Sequence, residues 1–340
     1  MRIENAECIQ LTKGLIRFLQ DSPTSFHAVA NIAGILREAG FTELQEGEKW
    51  ELKKNGSYFV TRNQSSILSF RIPAGTCGGY QIMASHSDSP TFKIKENPEM
   101  ESEGHYIRLN VEKNGGMLCA PWFDRPLSVA GRLVVKAGNC LVSKLVKVDR
   151  DLLMIPNLAI HFNRQVNDGY KYNPQVDMLP LYGDASAKGT FMKTVAESAG
   201  VREEDVLGHD LFLYSRTPGT IWGADGEFIS CGRLDDLQCA FASLKGFLEG
   251  ENSENVSVHA VFDNEEVGSG TKQGADSTFL EDTLKRINRN LGRSEEEYLM
   301  SLASSFMISA DNAHAVHPNL DLKADPTNRP YMNEGIVIKY

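Results

Sequence analysis

Three short apolar segments of this chain end in the same way, because each is followed almost at once by acids or by a histidine. The segments are 79–85, which leads to His86 and Asp88, 256–262, which leads to Glu265 and Glu266, and 306–310, which leads to Asp311. Apolar runs of this length are typical of buried strands. In open α/β sheets ligands bind at the carboxyl ends of parallel strands, so these side chains are predicted to converge on one crevice.

The alternation of helical and strand-like segments is interrupted between about residues 91 and 219. Short alternating segments and valine-rich pieces in this stretch predict β structure. We therefore expect an α/β fold in which residues 1–90 and 220–340 form a catalytic domain, with a mixed, mainly parallel sheet sandwiched by helices. A β-rich domain over 91–219 is inserted into it. The helices are predicted over 7–20, 25–39, 235–249 and 276–290, and a last strand over 335–340.

The charge and cysteine content argue against several classes of protein. The net charge is −10 and no Lys/Arg run is present, which argues against a nucleic-acid partner. A membrane-spanning helix needs about 18 consecutive apolar residues, and no window of the sequence reaches that length. The N-terminus also lacks the apolar stretch of a signal peptide. Six cysteines without a C-x-x-C pair fit a reducing compartment. We expect a cytoplasmic protein with no membrane partner.

His86 and Asp88 suit a metal ligand and its supporting carboxylate, because a ligating imidazole usually donates its second N–H to a carboxylate. A histidine beside a turn explains the same residues equally well, since Asp88 also precedes Ser89 and Pro90. Glu265 and Glu266 would repel each other near a buried crevice unless a cation or a proton separated their roles. One could bind a metal while the other takes a proton from water. A solvated acidic loop is the alternative.

Two further acidic segments are candidates for the same site. Asp235 and Asp236 stand at a predicted helix start, where acids commonly act as caps, although a carboxylate that bridges two metals would look the same. Asp311 is followed by His314 and His317, and we favour Asp311 as the ligand because the histidines lie in a predicted loop. A nucleophile mechanism is not indicated, because no G-x-S-x-G elbow is present and no cysteine has an evident activating histidine. No dinucleotide fingerprint or Walker-type loop is present either.

Together these motifs resemble the aspartyl aminopeptidase family of two-zinc exopeptidases. The matching stretches follow the family order and span nearly the whole chain. They are ASHSDSPTFKIK (84–95), NGGMLCAPWFDRPLSVAGRL (114–133), IPNLAIHFNR (155–164), GRLDDLQCAF (232–241), FDNEEVGSGTKQGA (262–275) and SADNAHAVHPN (309–319). The resemblance implies a zinc-dependent aminopeptidase, a hydrolase that removes N-terminal and preferentially acidic residues from peptides through a metal-bridged hydroxide.

The resemblance also implies which residues bind metal. His86 corresponds to a terminal zinc ligand that Asp88 orients, and Asp235 to the carboxylate that bridges both ions. Glu266 and Asp311 correspond to ligands of the individual zincs. Two Zn²⁺ are implied per subunit of the intact protein, and a carboxylate-rich site of this kind also accepts Mn²⁺ or Co²⁺.

Other residues are implied to act on the substrate. Glu265 resembles the general base that deprotonates the bridging water. His161 matches a histidine that the family places near the active site of a neighbouring subunit, and Lys339 a lysine that pairs with an acidic substrate side chain. Asp236, where some members carry Asn, is not expected to be a ligand. The inserted domain is implied to mediate dimerisation, with the dimers assembling into homododecamers.

The chain departs from the family pattern at its end. The family continues past GIVIKY (335–340) and supplies a last zinc-ligating histidine that no residue here matches. The chain is therefore expected to lack the C-terminal segment. Two alternatives to an acid-specific enzyme follow: an aminopeptidase of broader specificity, or an inactive homologue that serves assembly.

Overall fold

The structure is a computed structural model that describes residues 6–75 and 77–339. The first elements in chain order are α1 (Ala6–Asp21), α2 (Ser25–Glu38), β1 (Thr42–Leu44), β2 (Ser57–Arg62), β3 (Ser66–Arg71) and β4 (Tyr80–His86). Next come β5 (Thr91–Ser102), β6 (Tyr106–Asn114), β7 (Leu127–Ala137), β8 (Cys140–Lys147), α3 (Pro174–Asp177), β9 (Leu181–Asp184), α4 (Phe191–Ser198) and β10 (Val206–Ser215). The last are β11 (Thr220–Trp222), β12 (Phe228–Ser230), α5 (Leu234–Glu249), β13 (Val256–Phe262), α6 (Phe279–Asn290), α7 (Glu295–Ala303) and β14 (Phe306–Ser309).

The four predicted helices agree with α1, α2, α5 and α6 to within a few residues. The predicted strand over 335–340 is wrong for residues 335–339, which form no strand. Ile336 is 94% exposed there, and an apolar run without a neighbouring strand has no ladder to join. Tyr340 lies outside the described residues. Across the described part of the chain, no helix is both long and apolar enough to span a bilayer.

The first sheet has six strands in the order β1-β2-β3-β13-β4-β14. β4 lies between β13 and β14 and runs parallel to both, with Phe262 opposite His86 and Ser309 opposite Ala84. β1 is parallel to β2, whereas β3 is antiparallel to both of its neighbours. The three strands that were predicted to carry site residues therefore end side by side, and the mixed, mainly parallel sheet is confirmed.

Helices cover both faces of this sheet. On one face, Leu19 of α1, Ile32 of α2 and Phe241 of α5 pack in a single buried cluster. On the other face, Phe279 of α6 and Tyr298 of α7 pack in a second cluster. Burial of such side chains stabilises the fold by about 1.5–3 kcal/mol each. The sheet is thus held between two helical layers, which keeps the ends of β4, β13 and β14 in fixed positions.

His259 of β13 links the sheet to α5. It is fully buried, and its Nε2 lies 3.0 Å from Ser243 Oγ of α5 while its Nδ1 lies 3.3 Å from Ser69 Oγ of β3. Its ring stacks on Phe247 with centroids 5.7 Å apart. Burial lowers the pKa of His259 to about 4, because the charged imidazolium would lose its hydration. The neutral ring therefore serves as a hydrogen-bonded spacer between helix and sheet.

The second sheet has the order β8-β7-β10-β5-β6-β9, and every neighbouring pair in it is antiparallel. Phe92, Leu109, Leu133 and Phe191 lie in its buried core. Residues 87–90 alone separate the end of β4 from the start of β5, so the second sheet begins where the predicted site residues lie. The chain returns to the first sheet through β11, β12 and the start of α5.

Candidate metal centre

The imidazole of His86 stands at the end of β4 and is 5% exposed. Its Nε2 faces four carboxylates: Asp235 Oδ1 at 3.3 Å, Glu265 Oε2 at 3.8 Å, and Asp236 Oδ2 and Asp311 Oδ1 at 4.0 Å each. These acids come from three places in the chain, namely the start of α5, the loop after β13 and the end of β14. The predicted convergence of strand ends therefore occurs around one ring nitrogen.

The ligand-type atoms fall into two overlapping groups that share His86. The first is His86 with Asp235, Asp236 and Asp311, and the second is His86 with Glu265 and Glu266. Within each group the ligand atoms lie within 4.8 Å of one another. We call these six residues the carboxylate cluster.

Asp88 supports His86 from the side away from the other acids. The Nδ1 of His86 lies 3.2 Å from the Asp88 carbonyl oxygen and 3.3 Å from its Oδ1. The Asp88 carboxylate also accepts the backbone N–H groups of Glu265 and Glu266, each at 3.1 Å. With Nδ1 as the donor, the lone pair of Nε2 points at the carboxylates, which is the tautomer a metal ligand requires.

The first turn of α5 is tied to the neighbouring strand ends. The Ser89 hydroxyl donates to the Asp235 carbonyl at 2.6 Å, and the Asn312 side chain donates to the Leu234 carbonyl at 2.7 Å. The peptide bond between Asp235 and Asp236 is cis. The two aspartates are therefore fixed by contacts from β4 and β14 rather than acting only as caps of a solvated helix.

Gly115, in the loop after β6, brings the second sheet against the carboxylate cluster. A Cβ at this position would lie 3.0 Å from Glu266 Cβ and 3.3 Å from Pro90 Cα. Its φ of +92° is also in a region that residues with a Cβ rarely adopt. The contact lets a loop from the inserted segment support the backbone that carries Glu266.

The crowded acids have strongly shifted ionisation. Burial alone would lower the pKa of His86, but the Asp88 hydrogen bond and the charges of Asp236, Asp88 and Glu265 outweigh it and raise this pKa to about 9. Burial, reinforced by Asp235, raises the pKa of Glu266 to about 7. Burial likewise raises the pKa of Asp236 to about 6. A divalent cation among these groups would offset the repulsion that keeps protons on them.

The donors present fit a zinc site. Zinc accepts imidazole nitrogen and carboxylate oxygen, and both are available within a few ångströms of one another. Asp236 Oδ1 is buried and has no hydrogen-bond partner among the described residues, so a cation bound nearby would offset the cost of burying it. Carboxylate-rich donor sets also suit Mn²⁺ and Co²⁺.

The burial of Asp236 was not predicted from the sequence. Asp236 stays a residue that is not expected to be a ligand; it is fully buried, and its Oδ2 accepts the backbone N–H of His86 at 3.1 Å. A pair of acids at a helix start carries no signal for burial, because the same pair occurs in solvated caps. Only the packing of α5 against the end of β4 identifies its position.

Four other predicted residues lie outside the carboxylate cluster. His161, His314 and His317 are exposed, and His161 lies in a turn of the inserted segment. Lys339 lies beside the cluster: its Nζ is 3.0 Å from Asp311 Oδ2 and donates to the Asn312 carbonyl at 3.3 Å. The ammonium therefore neutralises part of the Asp311 charge.

Comparison with known proteins gives consistent matches along the chain. The sequence profile described as aminopeptidase I zinc metalloprotease (M18) matches residues 18–340. A probable M18 family aminopeptidase 2 of Clostridium acetobutylicum is 50% identical over 339 residues, covering 97% of this chain and 78% of that protein. The mApe1 structure of Chaetomium thermophilum matches with a TM-score of 0.89 at 31% identity, over 96% of this chain and 80% of that one. A chain of the S. cerevisiae mApe1 dodecamer matches with a TM-score of 0.84 at 26% identity, over 97% and 77%.

An imidazole surrounded by carboxylates at the carboxyl edge of an α/β sheet is an arrangement typical of metal-dependent hydrolases. The profile match covers most of the chain and names the subgroup. The chain belongs to the M18 family of zinc metallopeptidases, and it is an aminopeptidase. The resemblance drawn from its motifs is therefore confirmed.

Proposed function

We propose that this aminopeptidase holds two zinc ions in the carboxylate cluster and removes N-terminal residues from peptides, with a preference for acidic ones. The observation that carries the proposal is the set of four carboxylates around His86 Nε2. Such a concentration of negative charge at a strand edge is costly unless cations bind there.

His86, Asp235, Glu266 and Asp311 would hold the metal. Asp235 would be central to this set, since its Oδ1 is the carboxylate oxygen closest to His86 Nε2. Bound zinc would supply Lewis acidity toward the scissile carbonyl and lower the pKa of an attacking water. Asp88 orients the ring of His86 and thereby fixes the direction of its lone pair.

Glu265 is the general base in this proposal. Its side chain is 53% exposed, whereas that of His86 is 6% exposed, so it can reach a water and a substrate from the open side of the cluster. Asp88 accepts its backbone N–H, which holds the residue at the rim. Glu265 takes the proton of the attacking water and passes it to the leaving amine.

The substitution Glu265→Gln tests this role. The amide keeps the size of the side chain but cannot accept the proton, so kcat should fall on the order of 100- to 10,000-fold while zinc content stays the same. Zinc per subunit and peptide turnover are measured on the same preparation. Glu254→Gln, an exposed carboxylate at the other end of β13, is the control. A Glu265→Gln protein with unchanged kcat would rule out the assignment.

Lys339 is proposed to select acidic substrates. Its ammonium contacts Asp311. Once a cation holds that carboxylate, the lysine is available for an acidic substrate side chain. Lys339→Met is therefore expected to reduce the ratio of kcat/KM for aspartyl over leucyl substrates on the order of 10- to 100-fold. Equal loss on both substrates would contradict this role and favour the broader-specificity alternative.

The inserted segment 91–219 is proposed to mediate dimerisation between catalytic domains formed by 1–90 and 220–340, within a homododecamer. The dodecameric S. cerevisiae relative supports the assembly. Large apolar side chains of the segment are also strongly exposed, with Leu118 at 79%, Leu158 at 61% and Phe162 at 80%. Exposed apolar surface of this kind favours association. His161 lies between Ile160 and Phe162 and would reach a neighbouring subunit's site, where it could stabilise the developing oxyanion.

A further inference from the structure

A cavity of about 680 Å³ lies between the two sheets and borders the carboxylate cluster through Asp88 and Asp235. Its size is within the range of sites that enclose a small ligand. The remaining wall is apolar in part and basic in part, and the residues that matter here are Phe26, Trp122, Lys93, Arg132, Asp210 and Arg233. Asp235 of the cluster, Asp88 and Asp263 line the same cavity as these basic groups.

Lys93 and Arg132 share a single carboxylate. Lys93 Nζ lies 3.2 Å from Asp210 Oδ1. Arg132 donates from Nε to Asp210 Oδ2 at 3.0 Å, and its Nη2 also lies 3.0 Å from that oxygen. Two cations therefore surround one anion, which leaves one positive charge in excess. The Arg132 side chain also lies over the ring of Phe26, 4.4 Å from its centroid, and so it is held in place on the wall.

Arg233 adds a second unbalanced positive charge. Its Nη2 donates to the Leu19 carbonyl at 2.9 Å, while its Nε is buried and has no partner within the described residues. The titratable groups that interact with it are Cys231 and Tyr214 rather than a carboxylate. Its backbone is in the left-handed region, with φ of +64°, which is unfavourable for a residue with a Cβ. The buried, unpartnered Nε of this partly buried guanidinium can pair with an anion supplied from outside.

We infer that Arg233, Lys93 and Arg132 form a subsite for the C-terminal carboxylate of short peptides. This inference rests on the proposed function, because it places the free amine of the peptide at the carboxylate cluster. The peptide would then span the cavity past Phe26 and Trp122, and its negative end would reach the basic wall. Guanidinium groups bind carboxylates in a fixed, often bidentate geometry, and burial strengthens that pairing.

The test is equilibrium binding rather than turnover. Trialanine, trialanine amide and aspartyl-dialanine amide are titrated calorimetrically into zinc-loaded full-length protein carrying Glu265→Gln. Trialanine should bind on the order of 10- to 100-fold more tightly than its amide. Adding Arg233→Met should abolish that difference and leave the affinity for the amide unchanged. Absence of peptide turnover in zinc-loaded protein with Glu265 intact would contradict the proposed function without affecting this comparison.

Controls separate the subsite from a structural role. Lys147→Met removes a positive charge that donates to the Gln20 carbonyl at the same end of α1 but does not line the cavity, so all three affinities should stay the same. If Arg233→Met does not fold, Lys93→Met tests the same wall with a less buried residue. Equal affinities for trialanine and its amide in the parent protein would overturn the inference. The inference would also be overturned if aspartyl-dialanine amide alone bound more tightly than trialanine amide. The same holds if Arg233→Met weakened the binding of all three peptides equally.

Discussion

The two nitrogens of His86 have separate tasks. Nδ1 is engaged by Asp88, while Nε2 is directed at carboxylates that follow it in the chain by more than a hundred residues. The same Asp88 carboxylate accepts the N–H groups of Glu265 and Glu266, so one side chain holds both the His86 ring and the loop that carries the proposed base. A single residue outside the carboxylate cluster therefore fixes part of its geometry.

Gly115 also lies outside the carboxylate cluster and supports it, and the adjacent Gly116 provides a matched comparison. Gly115→Ala should displace the Glu266 backbone, because the new Cβ would contact Glu266 and Pro90 and the positive φ would be strained. We expect weaker zinc binding and a loss of about 1–2 kcal/mol in the free energy of unfolding. Gly116→Ala, where an added Cβ meets nothing within 4 Å, should change neither. Chelator competition and urea unfolding measure the two effects, and identical behaviour of both variants would contradict the prediction.

At the scale of elements, α5 connects the interior of the molecule to the site. Its first turn carries Asp235 and Asp236, and its middle packs on the sheet through Ser243 and the buried His259. The contact is made by a neutral imidazole, and it therefore depends on pH. Protonation of His259 would place an uncompensated charge between helix and sheet.

The pH dependence has a definite sign. The folded-state pKa of His259 is about 4, below the ordinary value of 6.5, so the unfolded chain binds a proton between these values that the folded chain does not. The contribution of the neutral His259 to the free energy of unfolding is complete above pH 6.5 and is lost as the pH falls toward 4. The loss between pH 7.5 and pH 5 amounts to about 2 kcal/mol. Urea unfolding at the two pH values should show this loss in the parent protein and a correspondingly smaller loss in His259→Gln. Equal losses would contradict the prediction.

The strand ends were predictable from sequence because the pattern that marks them is local. An apolar run followed by His86, by Glu265 or by Asp311 can be recognised within about ten residues. The burial of Asp236 was not predictable, since it depends on where α5 meets β4. The basic wall of the cavity was missed for the same reason. In the sequence, Lys93 and Arg132 look like ordinary polar positions of alternating strands. Only the packing of the two sheets places them on one cavity wall.

At the scale of the whole molecule, the segment 91–219 contributes to the site as well as forming the second sheet. It contributes one wall of the cavity, it places Gly115 against the Glu266 loop, and it carries exposed apolar side chains around His161. If His161 acts on a neighbouring subunit, each site is composed of two chains. Function would then depend on assembly rather than on the single fold.

Mixed assemblies test that dependence. Glu265→Gln and His161→Ala proteins should each be nearly inactive alone. When they are co-expressed, a subunit with an intact Glu265 can lie beside a subunit with an intact His161, and about a quarter of the sites should recover in random dimers. Activity and co-purification through separate tags are measured together, with His161→Ala co-expressed with itself as the control. Co-assembly without any recovery of activity would show that His161 does not act across the interface.

The acids that face His86 Nε2 all lie beyond residue 234, and the bond from the His86 N–H to Asp236 closes a separation of 150 positions. Joining ends so far apart carries an entropic cost that only folding of the intervening chain offsets. During synthesis, the histidine emerges long before any of those four acids. We therefore expect metal to bind only after the chain as far as Asp311 has folded, and metal content would then report how much newly made protein has finished folding.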